Sequence, residues 1–300
     1  MNCFTGLPAT LPFLLALCAA LLCSLARAEA ISDDLSTGVN GYTDQLHSGK
    51  FLLKSERCFV VDHSTGEKAG TTETAEEELV FDGVRSRYQR TFHRPNPRPG
   101  LPSLESVLLV FDGEKVTRIE SPENGVTPGT QTFLPRNLPE ELPTLVGGPS
   151  GLLGRVLGPQ LTQIPPLGTE LRSTYRAQEA GDEVIAGLHC VRLVGPTEDH
   201  GTFQLTRSWW VAPEKGYALA QYAEDAAWTP PVKSVSRRQV CTVGKWMQVD
   251  GIWLPEECVL STFGQPAGGT EQLYRTEKTT IVTAAVNTPI GDDVFALPKP

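Results

Sequence analysis

Apolar and β-branched residues recur along most of this chain in short runs separated by turn-forming residues. Runs bounded by glycine, proline, asparagine or aspartate are typical of β-strands. They predict strands over residues 51–61, 79–81, 84–92, 107–111, 116–119, 183–186, 190–194, 203–211, 217–222, 240–249, 252–260 and 273–282. Few helical patterns lie between them, so the sequence predicts a mainly β protein with an antiparallel sheet of short strands.

Turn chemistry supports antiparallel pairing of these strands. Apolar runs meet at Asp82-Gly83, Asp112-Gly113 and Asp250-Gly251. A two-residue Asp-Gly loop supplies the positive φ angles that tight hairpins require. We therefore expect hairpins at these three places, with a further hairpin around Gly187.

One segment near the start has helical periodicity. Its apolar residues follow one another at steps of four, three and four, which places them on one helix face: Leu35, Val39, Tyr42 and Leu46. Ser32 precedes the segment as a candidate N-cap, and Gly49 follows it as a candidate C-terminal stop. Because Gly38 and Gly41 weaken the helix, we expect its apolar face to be stabilised by docking on the sheet.

Two stretches interrupt the β pattern. Residues 94–102 (RPNPRPGLP) are proline-rich and predict a stiff exposed loop. Residues 135–168 combine repeated proline and glycine with clusters of leucine and valine. Flexible linkers are usually polar, so we interpret this stretch as a lid or insertion over a hydrophobic face. A linker between two domains is the alternative.

The first residues indicate export. An apolar run over residues 11–26 ends in Ala26-Arg27-Ala28, the pattern of a cleaved secretory signal peptide. We expect cleavage after Ala28, with cleavage after Ala30 as the alternative. The run is shorter than the roughly 20 residues that span a bilayer, which disfavours an uncleaved anchor. The predicted organisation is a signal peptide over 1–28 and one domain over 29–300, located in the periplasm or secreted.

Four cysteines remain after the predicted cleavage: Cys58, Cys190, Cys241 and Cys258. An even number in an oxidising compartment suggests two disulfides with three possible connectivities, and four free thiols are the alternative. Cys241 and Cys258 lie on opposite arms of the hairpin that turns at Asp250-Gly251. We therefore predict a disulfide between Cys241 and Cys258. Regular pairing would place Cys241 opposite Leu260, so this disulfide requires a bulge or a longer turn.

The net charge and the absence of catalytic motifs disfavour several classes of function. The formal net charge is −9 and no basic tract is present, which disfavours binding to nucleic acid. No later segment is apolar enough to span a membrane. The sequence has no G-x-S-x-G, H-E-x-x-H or P-loop motif, and its histidines lack metal-ligand spacing. We expect no enzyme activity, metal or cofactor. The runs Glu76-Glu77-Glu78 and Asp292-Asp293 are interpreted as solvent-exposed charge.

The strand over 203–211 is apolar on parts of both faces. Trp210 points away from Trp209, and Arg207 interrupts the face that Phe203 and Trp209 share. Such a strand is either covered by a helix or lines a cavity, and an ordinary core is the alternative. With one long curved sheet and few helices, the pattern favours an apolar cavity. The residues predicted to line it are Phe81, Val107, Leu109, Phe111, Phe203, Trp209 and Val211.

A series of motifs resembles a known family. In chain order they are GDEVIAGLHCVRLVG (181–195), WWVAPEKGY (209–217), DGIWLP (250–255) and FALP (295–298). This order, after an Asp-Gly hairpin, resembles the periplasmic lipoprotein-carrier superfamily (LolA/LolB-like), especially its divergent bacterial members. The resemblance covers about residues 35–298. It departs from the carriers in the cysteines and in the long Pro/Gly-rich insertion.

The resemblance implies an incomplete, strongly curved antiparallel β-barrel covered by the N-terminal helix and by residues 135–168. It implies a non-enzymatic protein that binds a lipid or an acylated protein in an apolar cavity. Relatives with this fold act on envelope partners, so an envelope regulatory or interaction module is the alternative, and a hydrolase with a scattered site is a more distant one. Carriers hold their lid with an early-strand arginine, but no motif selects among Arg85, Arg87 and Arg90.

Overall fold

The structure is a computed structural model that describes residues 29–61, 68–83, 85–93, 104–122, 129–133, 167–228, 236–265 and 269–297. The predicted signal peptide, the proline-rich loop over 94–102 and residues 135–166 of the predicted lid lie outside these ranges. The predictions made for them, and for the single domain, therefore stay predictions.

The described residues form mostly β-strands. The strands are β1 (Glu29–Ala30), β2 (Ser48–Val61), β3 (Lys68–Asp82), β4 (Arg85–His93), β5 (Leu104–Phe111), β6 (Val116–Pro122), β7 (Gly129–Phe133), β8 (Gln178–Ile185), β9 (Leu188–Val194), β10 (Glu198–Asp199), β11 (Phe203–Ala212), β12 (Ala218–Trp228), β13 (Ser236–Val249), β14 (Ile252–Gln265) and β15 (Gln272–Val286). The helices are α1 (Asp33–Asp44), α2 (Leu167–Ser173) and two 3-10 turns, Pro213–Lys215 and Asp292–Phe295. The mainly β prediction is confirmed.

All described strands belong to one antiparallel sheet. Its order is β1-β8-β9-β11-β12-β13-β14-β15-β2-β3-β4-β5-β6-β7, with β10 paired to β11. The edges β1 and β7 are not joined, so the sheet does not close into a barrel. The predicted incomplete antiparallel barrel is confirmed in this respect.

The hairpin predictions are confirmed. Val249 pairs with Ile252 around Asp250-Gly251, and Ile185 pairs with Leu188 around Ala186-Gly187. Both residues of each loop have positive φ, as a type I′ turn requires. The strands are longer than predicted, however, since β3 and β15 each have 15 residues. Residues 68–78 of β3 are rich in threonine and glutamate, so no apolar run marked this part of the strand in the sequence.

The sheet must curve to bury its core. The side of the sheet that carries Phe51, Phe81, Trp209 and Leu254 is called the inner face, and all four residues are at most 2% exposed. One apolar cluster on this face reaches from Leu193 of β9 to residues of β6. Ten steps between strands would span roughly 48 Å in a flat sheet, whereas the 12 residues of α1 extend about 18 Å. The strands therefore bend around α1.

Helix α1 forms as the sequence predicted. The Ser32 hydroxyl accepts a hydrogen bond from the Leu35 backbone, which caps the helix N-terminus. The cluster on the inner face contains the four predicted apolar residues: Leu35, Val39 and Tyr42 lie within α1, and Leu46 follows just after its end. The Tyr42 hydroxyl donates to the Trp253 carbonyl at 2.6 Å and anchors the helix to the start of β14. The helix stops at Gln45 rather than at Gly49, which lies in β2.

The two glycines of α1 have different surroundings. A Cβ on Gly38 would lie 2.5 Å from the ring of Tyr217, so the glycine permits close contact between helix and sheet. A Cβ on Gly41 would meet nothing within 4 Å. Gly38 is thus a packing requirement, whereas Gly41 only weakens the helix.

The variants Gly38→Ala and Gly41→Ala should therefore change stability in opposite directions. The first forces the Tyr217 ring away and should lower the free energy of unfolding by about 1–3 kcal/mol. The second should raise it by about 0.5–1 kcal/mol because alanine favours the helix. Equilibrium denaturation in urea measures both. Shifts of the same sign would contradict this account of α1 docking.

Candidate functional site: the inner face of the sheet

The inner face has an apolar half around α1. Six of the residues predicted to line a cavity are buried together in its cluster: Phe81, Val107, Leu109, Phe111, Trp209 and Val211. Phe203 lies apart. It is half-buried at the other end of β11, where its ring stacks on His200 and contacts Trp228. The structure thus brings six of the seven residues together, and their role in ligand binding stays a prediction.

Trp209 contributes an unsatisfied polar atom to this apolar half. Its side chain is fully buried between the rings of Tyr175 and Tyr222, at centroid distances of 5.0 and 5.9 Å. Among the described residues the indole N–H has no hydrogen-bond partner. Buried polar groups are usually paired, so this donor is an exception within the apolar half. Trp210 points to the outer face, as predicted, and donates to Glu183.

The other half of the inner face is charged. The ends of the strands remote from α1, where β2 ends at Val61 and β15 begins at Gln272, are called the far end of the inner face. Towards this end, Glu277 is fully buried between two arginines. Its Oε2 accepts from Arg57 at 2.9 Å, and its Oε1 accepts from Arg90 at 2.8 Å. Three strands, β2, β4 and β15, are therefore joined by one carboxylate.

Glu77 extends this group of buried charges. It accepts hydrogen bonds from Ser55 at 2.7 Å and from Tyr88 at 2.8 Å, and it lies 3.8 Å from Arg90. Burial raises the pKa of Tyr88, and the charge of Glu77 raises it further. Burial alone would lower the pKa of Arg90, but the carboxylates of Glu77 and Glu277 hold it above its ordinary value. Arg90 therefore keeps its positive charge, and that charge is paired with the carboxylates of Glu77 and Glu277.

The sequence interpretation of Glu76-Glu77-Glu78 was wrong for the middle residue. Alternation along β3 puts Glu77 on the inner face at 2% exposure, while Glu76 stays exposed. The usable signal was the arginine at the matching position of a neighbouring strand, since Glu77 pairs with Arg90 across β3 and β4. Asp292 and Asp293 are exposed, as expected.

A second ion-pair group surrounds Arg207, the residue expected to interrupt the apolar face of β11. Arg207 bonds to Glu198 and Glu224, and Glu224 also accepts from Tyr222. The guanidinium lies 5.4 Å from the ring of Tyr175. These contacts explain how an arginine is accommodated beside Trp209.

The candidate arginines of β4 separate onto two faces. Arg85 and Arg87 bond to the C-terminal 3-10 turn, through Asp292 and the Val294 carbonyl respectively. Arg90 alone lies in the inner charged group. The sequence alone could not make this distinction, because it depended on the phase of β4.

All four cysteines in the described ranges are free thiols. Cys241 pairs with Leu260 and Val243 with Cys258, so Cys241 and Cys258 are diagonal neighbours on the inner face. The irregular pairing at Lys245 does not shift this register. A hydrogen bond to Cys241 raises the pKa of the Cys258 thiol, as does burial. Their disulfide stays a prediction. Five strands separate Cys58 from Cys190, which rules out their pairing in this fold.

The part of the chain that the structure describes lacks a metal-binding cluster and a membrane-spanning helix. It contains no group of three histidine, cysteine, aspartate or glutamate side chains that could hold a metal ion. None of its helices has both the length and the apolar character needed to cross a bilayer.

Comparisons with known proteins give structural likeness only. Neither a protein-family profile nor a curated protein matches the sequence. Among solved structures, a domain assigned to outer membrane lipoprotein sorting, from Vibrio parahaemolyticus, has a TM-score of 0.47 at 10% identity, covering 87% of this chain and 94% of its own. A chain in the MucA/MucB complex of Pseudomonas aeruginosa has a TM-score of 0.23 at 12% identity, and the match covers 85% of this chain and 100% of that one. The likeness identifies no ligand for this chain.

Replacing Glu277 by glutamine should destabilise the protein strongly. The change leaves Arg57 and Arg90 without their shared counter-charge, and breaking a buried ion pair costs about 3–5 kcal/mol. Glu76→Gln is the matched control, because its exposed pair with Lys54 is worth less than about 1 kcal/mol. Urea denaturation compares the two. Equal effects would show that the buried group does not hold the sheet together.

Oxidation of the exported protein should join Cys241 to Cys258. The two thiols are adjacent on the inner face, although a disulfide at a diagonal position needs a small backbone shift. Peptide mapping by mass spectrometry under non-reducing conditions tests this. A linkage of Cys241 to another cysteine, or two free thiols after export, would contradict the prediction.

Proposed function

We propose that this chain is an exported, non-enzymatic protein that binds a lipid or the acyl group of a lipoprotein against the apolar half of its inner face. One observation carries the proposal. A single open sheet directs most of its large buried apolar side chains to one face, and no second sheet packs against that face in the described ranges. A sheet that bends around a 12-residue helix has the shape to enclose an acyl chain.

Two further features support this proposal. The apolar half combines aliphatic and aromatic side chains, as acyl-binding surfaces require, and Trp209 offers an unpaired N–H to a ligand carbonyl. The ordered motifs that resemble the lipoprotein-carrier superfamily also come from strands that build this face, notably β9, β11 and β14. The N-terminal sequence pattern supports export to the periplasm or secretion.

Native mass spectrometry of protein purified without detergent tests the proposal. We expect a retained acyl-bearing ligand because an apolar face of this kind is occupied in the cell. Protein free of ligand, which also fails to take up long-chain fatty acid, would contradict the carrier function. That result would favour the alternative of an interaction module that uses its surface.

Photo-crosslinking locates the ligand on the sheet. A long-chain fatty acid with a diazirine on its chain should label inner-face peptides, such as those containing Trp209 and Leu109. Peptides whose side chains face outward, such as that containing Val282 at 53% exposure, provide the internal control. Labelling confined to outward-facing residues would place the binding site elsewhere and overturn the assignment to the inner face.

A further inference from the structure

One arginine of the inner face has no ion-pair partner in the part of the chain that the structure describes. Arg275 precedes Glu277 by two residues on β15 and therefore points to the same face. Both oxygens of Glu277 are already engaged, by Arg57 and by Arg90. Among the described residues Arg275 makes no ion pair, and its Nε is buried without a hydrogen-bond partner.

Its neighbours increase the positive charge rather than compensate it. Arg275 pairs across strands with Phe59 and Thr262, and Arg57 lies one diagonal step away on β2. Burial lowers the pKa of Arg275, and the charges of Arg57, Arg237 and Arg90 lower it further, against an opposing contribution from Glu277. An arginine cannot relieve this situation by losing its proton at physiological pH.

Arg237 adds a second guanidinium, which is exposed to solvent. It lies on β13 at the far end, opposite Gly264, in phase with the inner-face residue Cys241. Like Arg275, it forms no ion pair with a described carboxylate. A Cβ on Gly264 would lie 2.1 Å from the Tyr274 ring, so the glycine allows this ring to lie beside Arg237. Within the described ranges, the far end thus presents two guanidinium groups that form no ion pair, and the aromatic ring of Tyr274.

Arg275 is half-buried, and a half-buried charge without a partner is costly, so a bound anion would stabilise it. Guanidinium groups hold phosphate and carboxylate through paired N–H donors. The apolar half lies on the same continuous face, towards α1. An amphipathic ligand with its chain against α1 would therefore bring its head to these arginines.

We propose that Arg275 and Arg237, reinforced by Arg57, bind an anionic phosphate or carboxylate group on the head of the acylated ligand. This inference rests on the proposed function and specifies its ligand class. The far end selects anionic ligands over neutral ones with the same chain.

The test compares two probes with the same acyl chain, lysophosphatidic acid and monoacylglycerol, with glycerol 3-phosphate as the chain-free anion. Binding is measured by titration of the intact mature protein at fixed ionic strength. The wild type should bind lysophosphatidic acid about tenfold or more tightly than monoacylglycerol, as expected for hydrogen bonds to a charged group. Arg275→Gln should abolish this preference and leave monoacylglycerol binding unchanged.

Arg238→Gln is the matched control, since Arg238 follows Arg237 but pairs with Asp225 at 3.6 Å. It should keep the preference. Arg275→Gln removes an unpaired charge, so the unliganded variant should be at least as stable to heat as the wild type, which separates lost binding from misfolding.

Each other outcome has a definite meaning. Two outcomes overturn the anion site and leave the carrier function standing. The first is equal affinity of the wild type for both lipids, and the second is an equal decrease in the affinity for both lipids in Arg275→Gln. Arg275-dependent binding of glycerol 3-phosphate without binding of either lipid keeps the anion site and overturns the carrier function. Binding of none of the three probes overturns both.

Discussion

The burial of one face of one sheet is the constraint on which the rest of this structure depends. No second sheet packs against the inner face in the described ranges, so the apolar residues of β2 to β6 and β9 to β15 must be covered by curvature and by α1. Bulges in several strand pairs, such as that between β14 and β15, contribute to the bend. The close contact of Gly38 with Tyr217 and the anchoring of Tyr42 both follow from the need to hold a short helix deep within the curve.

The inner face is divided in its chemistry. Its apolar half consists of packed aliphatic and aromatic side chains, whereas the buried group around Glu277 joins three strands through ionic hydrogen bonds. Burying charge seldom adds net stability compared with apolar packing, but such a group disfavours every register that would leave its members unpaired. The buried charged group therefore helps long strands rich in glutamate and arginine to keep a single register, although they lack a continuous apolar pattern.

Much of the architecture could be predicted from the sequence, because hairpin turns and helical spacing are local signals. The Asp250-Gly251 loop and the apolar face of α1 depend only on neighbouring residues, and both formed as predicted. The charged half of the inner face could not be predicted in this way. Whether Glu77 is buried or exposed depends on the phase of β3, and its partner Arg90 lies on another strand. Phe203 shares the phase of Trp209, but its distance from α1 along β11 leaves it outside the apolar cluster.

The two-residue strand β1 links export to the finished fold. Glu29 and Ala30 pair with Glu179 and Gln178 at the edge of the sheet, immediately after the predicted cleavage position. A signal peptidase that cuts after Ala28 would leave this pairing in place as the first residues of the mature chain. A cut after Ala30 would remove it and leave the backbone of β8 open to solvent or to another chain at that point. The choice between two peptide bonds that lie two residues apart thus determines whether β1 is present to pair with β8.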